Sequence, residues 1–145
     1  SEENRKNGRY DVMSKSGYNS SIGESGDTQL RPGCATLYIL SVERGTDGAW
    51  TLRNYYRFID VNVSCSSGSP NGMATPRVVD IDNNGTADYV YAGDLRGNMW
   101  KFDVRNSNPN SWALSNGNTP LFAATDSAGT AQPITAPATK TAGPV

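Results

Sequence analysis

The chain contains no histidine among its 145 residues. That removes the side chain that most often acts as a general base near neutral pH, and the commonest transition-metal ligand. Only two cysteines occur, Cys34 and Cys65, and without histidine partners they cannot complete a structural zinc site. Neither charge is in excess, with 13 basic against 14 acidic residues. Nothing therefore draws the chain electrostatically to nucleic acid or to an anionic membrane. No apolar run approaches the roughly 20 residues of a membrane span. The polar start Ser1-Glu2-Glu3-Asn4-Arg5-Lys6 is no signal peptide, so an exported chain of this kind is expected to be a fragment with its signal upstream. Strong helix formers do not cluster, and no amphipathic helical period stands out. What is present is abundant Ser, Thr, Asn and Gly, the composition of an all-β protein with long polar loops.

The most informative stretch is Asp80-Ile81-Asp82-Asn83-Asn84-Gly85-Thr86-Ala87-Asp88. Oxygen-bearing side chains fall at loop positions 1, 3, 5 and 9, with glycine at position 6. Calcium takes six to eight oxygen ligands in flexible geometry, and alternating Asp and Asn can wrap them around one point. Asp80, Asp82, Asn84 and Asp88 are the candidate side-chain ligands. Thr86 would add its backbone carbonyl, and Gly85 permits the sharp turn. An EF-hand would place a bidentate Glu at position 12, where Tyr91 stands. The flanks Thr75-Pro76-Arg77-Val78-Val79 and Tyr89-Val90-Tyr91-Ala92 are strand-like rather than helical. The expectation is a calcium loop between two β-strands, set against an Asp- and Asn-rich hairpin turn that binds nothing. Cys34 and Cys65 are expected either to form one disulfide or to remain as two thiols.

The chain also repeats itself. Leu37-Tyr38-Ile39-Leu40 and Trp50-Thr51-Leu52 recur as Met99-Trp100-Lys101-Phe102 and Trp112-Ala113-Leu114 at an offset of 62 (37 to 99, 50 to 112). Met73-Ala74-Thr75-Pro76 recurs as Ile134-Thr135-Ala136-Pro137 at an offset of 61 (76 to 137). Strands are expected at 36–42, within 50–62, and at 76–80, 89–92, 98–104, 112–114 and 121–124. Trp100 and Phe102 are expected in the core, and Gly93 and Gly97 at turns or close contacts. Asp94 is read as a turn residue or a further carboxylate for the loop. Tyr55-Tyr56 is an adhesive patch or a half-buried pair.

Several short strands per unit of about 60 residues are blade-like. The fold class is therefore all-β, a partial, modified β-propeller of about two blades of antiparallel strands with long loops. The whole span 1–145 reads as one propeller fragment. Repeat units lie at about 16–76 and 77–137, with residues 1–15 flexible or held by neighbours, and 138–145 a truncated blade start.

The run from Asp80 to Asp103, with the loop followed by Tyr91-Ala92-Gly93-Asp94-Leu95-Arg96-Gly97-Asn98-Met99-Trp100-Lys101-Phe102-Asp103, closely resembles the C-terminal propeller of the PilC/PilY family. Gly17-Tyr18-Asn19-Ser20, Leu37–Leu40 and Met73–Pro76 extend the resemblance over residues 16–137. These are tip-associated adhesins and assembly factors of bacterial type IV pili. The resemblance implies Ca2+ bound by Asp80, Asp82, Asn84, Thr86 and Asp88, and control by calcium of pilus extension, retraction, twitching motility and adhesion. It implies minor pilins or assembly machinery, a host or abiotic surface receptor, and the remainder of the propeller as partners. It implies an extracytoplasmic place at the pilus tip, cell surface or outer membrane, reached through the periplasm. Some relatives carry Arg-Gly-Asp, but Arg96-Gly97-Asn98 lacks the Asp, so integrin binding is not expected. No enzyme activity is expected. The alternatives are a quinoprotein-like propeller enzyme, disfavoured by the missing histidine, and a purely structural calcium-stabilised adhesion module.

Overall fold

The computed structural model describes residues 3–6, 9–15, 34–41, 56–61, 69–139 and 141. Among them it contains two antiparallel sheets and no α-helix. The first sheet runs in the order β1 (Glu3–Lys6), β2 (Arg9–Lys15), β3 (Thr36–Ser41) and β4 (Tyr56–Asp60). The second runs β5 (Arg77–Val79), β6 (Tyr89–Gly93), β7 (Asn98–Asp103) and β8 (Ala113–Leu114). A further strand, β9 (Phe122–Ala123), shares the outer edge of β7 with β8. β8 takes the end of β7, pairing Phe102 with Leu114, and β9 takes its beginning, pairing Met99 with Phe122. Two short strands thus do the work of one. The result is an open portion of a propeller, all-β as the composition implied.

The expected strands from residue 76 onward all form; β6 runs one residue past the expected 89–92, and the others are shortened by a residue or more. The run within 50–62 yields β4, while Trp50–Leu52, Tyr55 and Gly17–Ser20 lie outside the described residues. Of residues 1–15, expected to be flexible or held by neighbours, 3–6 and 9–15 are described, and they follow the second course. They supply β1 and β2, and β2 lies along β3 from Asp11 opposite Ser41 to Lys15 opposite Leu37. The open edge of β3 offers backbone donors and acceptors, which a polar strand satisfies as well as an apolar one. Ile134–Pro137 forms no strand, and its Ile134 N–H instead bonds the Asp94 carbonyl at 2.9 Å.

One continuous hydrophobic cluster joins the two sheets. Leu37, Ile39 and Ile59 come from the first, and Val90, Ala92, Trp100 and Phe102 from the second. Along β6 and β7 burial alternates, as it must when one face of a pleated strand meets a core. Val90 faces Phe102 and Ala92 faces Trp100 across the ladder. This alternation corrects the repeat. At offset 62 the limits of β3 and β7 coincide (36 to 98, 41 to 103). Their buried faces do not, because buried Leu37 and Ile39 then fall on half-buried Met99 and Lys101. The faces coincide at 63 (37 to 100, 39 to 102). A shift of one residue exchanges the two sides of a strand, so packing tells 62 from 63 where residue likeness does not.

The β6–β7 turn is organised by Asp94, which is fully buried. Its carboxylate accepts from the backbone N–H of Arg96 and of Asn98, both at 2.9 Å. It also accepts from the Asn98 amide, from the Asn71 amide at 2.9 Å and from Trp100 Nε1 at 2.8 Å. Asn71 returns its own carbonyl to the N–H groups of Gly72 and Leu95. Gly97 closes the turn with φ at 81°, and a Cβ there would lie 2.7 Å from the carbonyl oxygens of both Ala124 and Gln132. Only glycine meets both conditions. Replacing Asp94 by Ala strands several buried donors at once, which costs about 3 kcal/mol or more. Denaturant unfolding measures this, and an unchanged midpoint in Asp94→Ala would remove Asp94 as the anchor of the turn.

Candidate metal centre

The acidic loop spans the gap between β5 and β6, and its base is clamped by strand bonds. Asp88 N–H donates to the Val79 carbonyl at 2.9 Å, and Val104 N–H donates to the Asp88 carbonyl at 3.0 Å. Within the loop, Asn83 and Gly85 adopt left-handed backbone angles, with φ of 57° and 84°. Asn tolerates that region better than most side chains. At Gly85 nothing lies within 4 Å of where a Cβ would sit, so the backbone angle and not space demands glycine.

These turns curl the chain back on itself and bring Asp80, Asp82 and Asp88 together. One carboxylate oxygen from each lies within 4.8 Å of the others. Asp88 forms the buried floor, half-buried Asp80 and exposed Asp82 the solvent side. Asp88 Oδ2 accepts from Ile81 N–H at 2.8 Å. Asp80 accepts from the N–H groups of Gly85 at 2.8 Å and Asn84 at 3.2 Å. Asn84 adjoins the cluster, but its amide nitrogen is the part facing Asp82, at 2.8 Å. Its side-chain carbonyl accepts instead from the Thr86 N–H and hydroxyl. Of the five residues expected to gather, three converge, Asn84 touches Asp82, and Thr86 reaches only Asn84. Asp94 lies at the far end of β6 and belongs to the turn, not to this cluster.

The donor set is all oxygen and strongly anionic. Each carboxylate has about four acceptor sites, and the N–H bonds described use only part of that capacity. Such a set suits a hard divalent cation that tolerates irregular coordination, calcium above all, and has no thiolate or imidazole to favour a softer metal. A rotation of the Asn84 side-chain amide would present its oxygen in place of its nitrogen. Cys34 is buried and disulfide-bonded, while Cys65 lies outside the described residues.

Two features were missed in the sequence. Asn71 was not singled out, although its side chain completes the Asp94 network; a lone Asn in a Ser- and Gly-rich stretch carries no local signal. In the sequence the outward face of β6 and β7 is legible only as strand. There Lys101 Nζ lies 3.8 Å from the centroid of the Tyr89 ring, and Arg105 lies 4.9 Å from it. The register places Tyr91 opposite Lys101, and alternate-residue spacing does mark all three as one face.

At Asp80, partial desolvation pushes the carboxyl upward, but the Gly85 N–H, the Asp82 side chain and the Asn84 and Asn83 N–H groups outweigh it. The net result lies below the ordinary value of 3.8. A depressed carboxyl pKa adds stability that is present above the unfolded value and lost as pH falls through the folded one. In metal-free protein, any stability advantage of wild type over Asp80→Ala is expected to shrink on acidification below about pH 4. Thermal unfolding from pH 6 to pH 3 checks this, and a pH-independent difference would contradict the assigned bonds.

Comparison with known proteins agrees with this architecture. The family model described as the PilY1 beta-propeller domain matches residues 3–142. The type IV pilus biogenesis factor PilY1 of Pseudomonas aeruginosa strain PAO1 is 36% identical over 146 residues, covering 90% of this chain and 11% of that protein. A PilY1 homolog of Xylella fastidiosa strain Temecula1 is 41% identical over 70 residues, covering 45% of this chain and 5% of its own length. The crystal structure of the P. aeruginosa PilY1 C-terminal domain matches with a TM-score of 0.68 at 33% identity, over 94% of this chain and 27% of that one. The chain thus spans about a tenth or less of the length of these curated relatives. Among the described residues no helix is long and apolar enough to cross a membrane. A match over nearly the whole sequence, together with the two blade-like sheets, shows that this chain belongs to the PilY1 beta-propeller domain family of type IV pilus biogenesis factors.

Proposed function

We propose that this chain is the calcium-binding propeller portion of a protein that acts in type IV pilus biogenesis, and that the loop from Asp80 to Asp88 is its regulatory element. The observation that carries the reading is the convergence of the Asp80, Asp82 and Asp88 carboxylates between two strands. Three like charges at that spacing repel, and a bound cation reverses the sign of the interaction. Asp88 would hold the ion from the sheet side, Asp80 and Asp82 from the loop, with Asn84 and the Thr86 carbonyl completing the set. Calcium would supply only charge and a fixed coordination point. The chain's own residues do the rest: Val79, Asp88 and Val104 keep the base of the loop in the sheet, so ordering its tip presents a defined edge.

In this reading the edge contacts minor pilins, the assembly machinery or the remaining blades. Its ordering biases pilus extension against retraction, and with it twitching motility and adhesion to host or abiotic surfaces. The protein works outside the cytoplasm, at the pilus tip or the cell surface, and catalyses no reaction. A second reading, calcium as a brace of the loop alone, is favoured by the clamped base, because backbone bonds that need no ion confine any ordering to the loop tip.

Calorimetric titration is expected to show one calcium site in wild type and none in Asp82→Ala. At free calcium a hundredfold above the dissociation constant, the ion should stabilise the fold by about 2.7 kcal/mol, read as a drop in unfolding temperature on chelation. Asp82→Ala in the full-length protein then separates the two readings. Altered twitching with an intact fold supports regulation, and unaltered twitching leaves calcium as a brace. Absence of any calcium binding by folded wild type would refute both.

A further inference from the structure

On the face of the second sheet turned away from the core, β6, β7 and the turn after β8 enclose an open cleft of about 680 Å³. It lies within the size range of small-ligand sites. Its wall includes Tyr89, Lys101, Arg105, Asn106, Ser115 and Asn116. The charges are unequal in what they leave free. Arg105 is held by Asp103 through two bonds, Nε to Oδ1 at 3.0 Å and a terminal nitrogen to Oδ2 at 2.7 Å. That pair is self-neutralised. Lys101 faces aromatic rings, with Nζ 3.8 Å from the Tyr89 centroid and 5.9 Å from that of Tyr91, and has no carboxylate partner among the described residues. An ammonium over ring faces retains its donors and its charge.

Ser115 gives an independent indication. Its N–H is fixed to the Lys101 carbonyl at 2.8 Å, which keeps it beside that residue. Its hydroxyl is shielded from solvent and has no hydrogen-bond partner among the described residues. Shielded polar atoms are nearly always satisfied, so an orphan in a cleft wall marks where a ligand or bound water belongs. Two carboxamides complete the set. Asn106 spends its side-chain oxygen on Asn108 N–H, leaving its NH2 free, and the Asn116 side chain makes no described bond.

One uncompensated cation, one orphan hydroxyl and two free amides form a recognition set for a ligand with a single negative charge and many hydroxyls. We propose that this cleft binds a carboxylated saccharide, its carboxylate on Lys101 and its hydroxyls on Asn106, Asn116 and, after a χ1 rotation that turns it out of the wall, Ser115. An extended acidic peptide suits the cleft less well, because it would bring more carboxylates than the one free cation among the described lining residues can meet. The inference is independent of the calcium loop, which lies on the other side of Asp88 from Tyr89.

The test is saturation-transfer and chemical-shift NMR on the full chain in calcium-containing buffer, with glucuronate as probe, glucose as the neutral control and an oligo-aspartate peptide as the third arm. Glucuronate is expected to bind, and glucose to bind at least about tenfold more weakly, since it lacks the charge-assisted contact. Lys101→Gln should remove the preference for glucuronate over glucose. Ser115→Ala, which leaves the strands and every charge in place, should weaken glucuronate severalfold while keeping the preference. Failure of glucuronate to bind, equal binding of glucose, or an unchanged preference in Lys101→Gln would overturn the proposal. Binding of the peptide in place of glucuronate would overturn the saccharide assignment.

Discussion

The Asp94 carboxylate is the contact on which the second sheet depends. A buried carboxylate without a cation is costly unless neutral dipoles replace the water it has lost. Here the replacement comes from Arg96, Asn98, Asn71 and Trp100, drawn from the turn, from β7 and from the segment before β5. The same residue's backbone reaches two further places. Its N–H meets the Asn98 carbonyl, and its carbonyl receives the Gly97 and Ile134 N–H groups. One residue thus sets the β6–β7 register, seats the Trp100 indole at the core and moors the C-terminal segment. The arrangement is all or nothing, because each donor would be stranded without the common acceptor.

β6 carries carboxylates in opposite circumstances at its two ends. At the Asp94 end one acid is buried and saturated by donors. At the Asp88 end three acids crowd together and are only partly satisfied. The strand between them is five residues, roughly 17 Å at the usual rise. The saturated end gives rigidity and needs no ion. The unsaturated end keeps spare acceptors and mutual repulsion, so its energy depends on what cation is nearby. A strand with one end of each kind would suit the switch proposed above, because the rest of the sheet would not have to yield if that end changed.

Much of this was legible in the residues, and the failures have physical causes. The curl of the Asp80–Asp88 loop could be read because carboxylates at alternate positions and a glycine at a left-handed turn are local features. β5, β6 and β7 could be read because one face of each meets the core, which imposes alternation on Val90, Ala92, Trp100 and Phe102. The first two strands could not, since β1 and β2 are held by backbone pairing to a neighbour and polar residues serve that purpose equally well. The repeat was found at the wrong parity, because likeness of residues at 37–40 and 99–102 carries no information about which side faces inward. Asn71 was invisible for a different reason: its value comes wholly from a partner 23 positions away.

The clamped base of the loop limits what an ion could change. Asp88 is fixed by Val79 and Val104 through its backbone and holds Ile81 N–H with its side chain, so it stays near its place whatever the occupancy. Asp82, Asn83, Asn84 and Gly85 are exposed, and their bonds stay within the loop, to one another, to Asp80 and to Thr86. Ordering is therefore confined to a tip of a few residues, and Ile81, more than half exposed beside it, is the apolar side chain whose presentation would change with it. Tyr89, next to Asp88 in the chain, points to the opposite face and lies under Lys101. A signal that reached the outward cleft would have to pass through a residue the sheet already holds still. The tip and the cleft are thus two separate surfaces on one blade, with Asp88 held still between them.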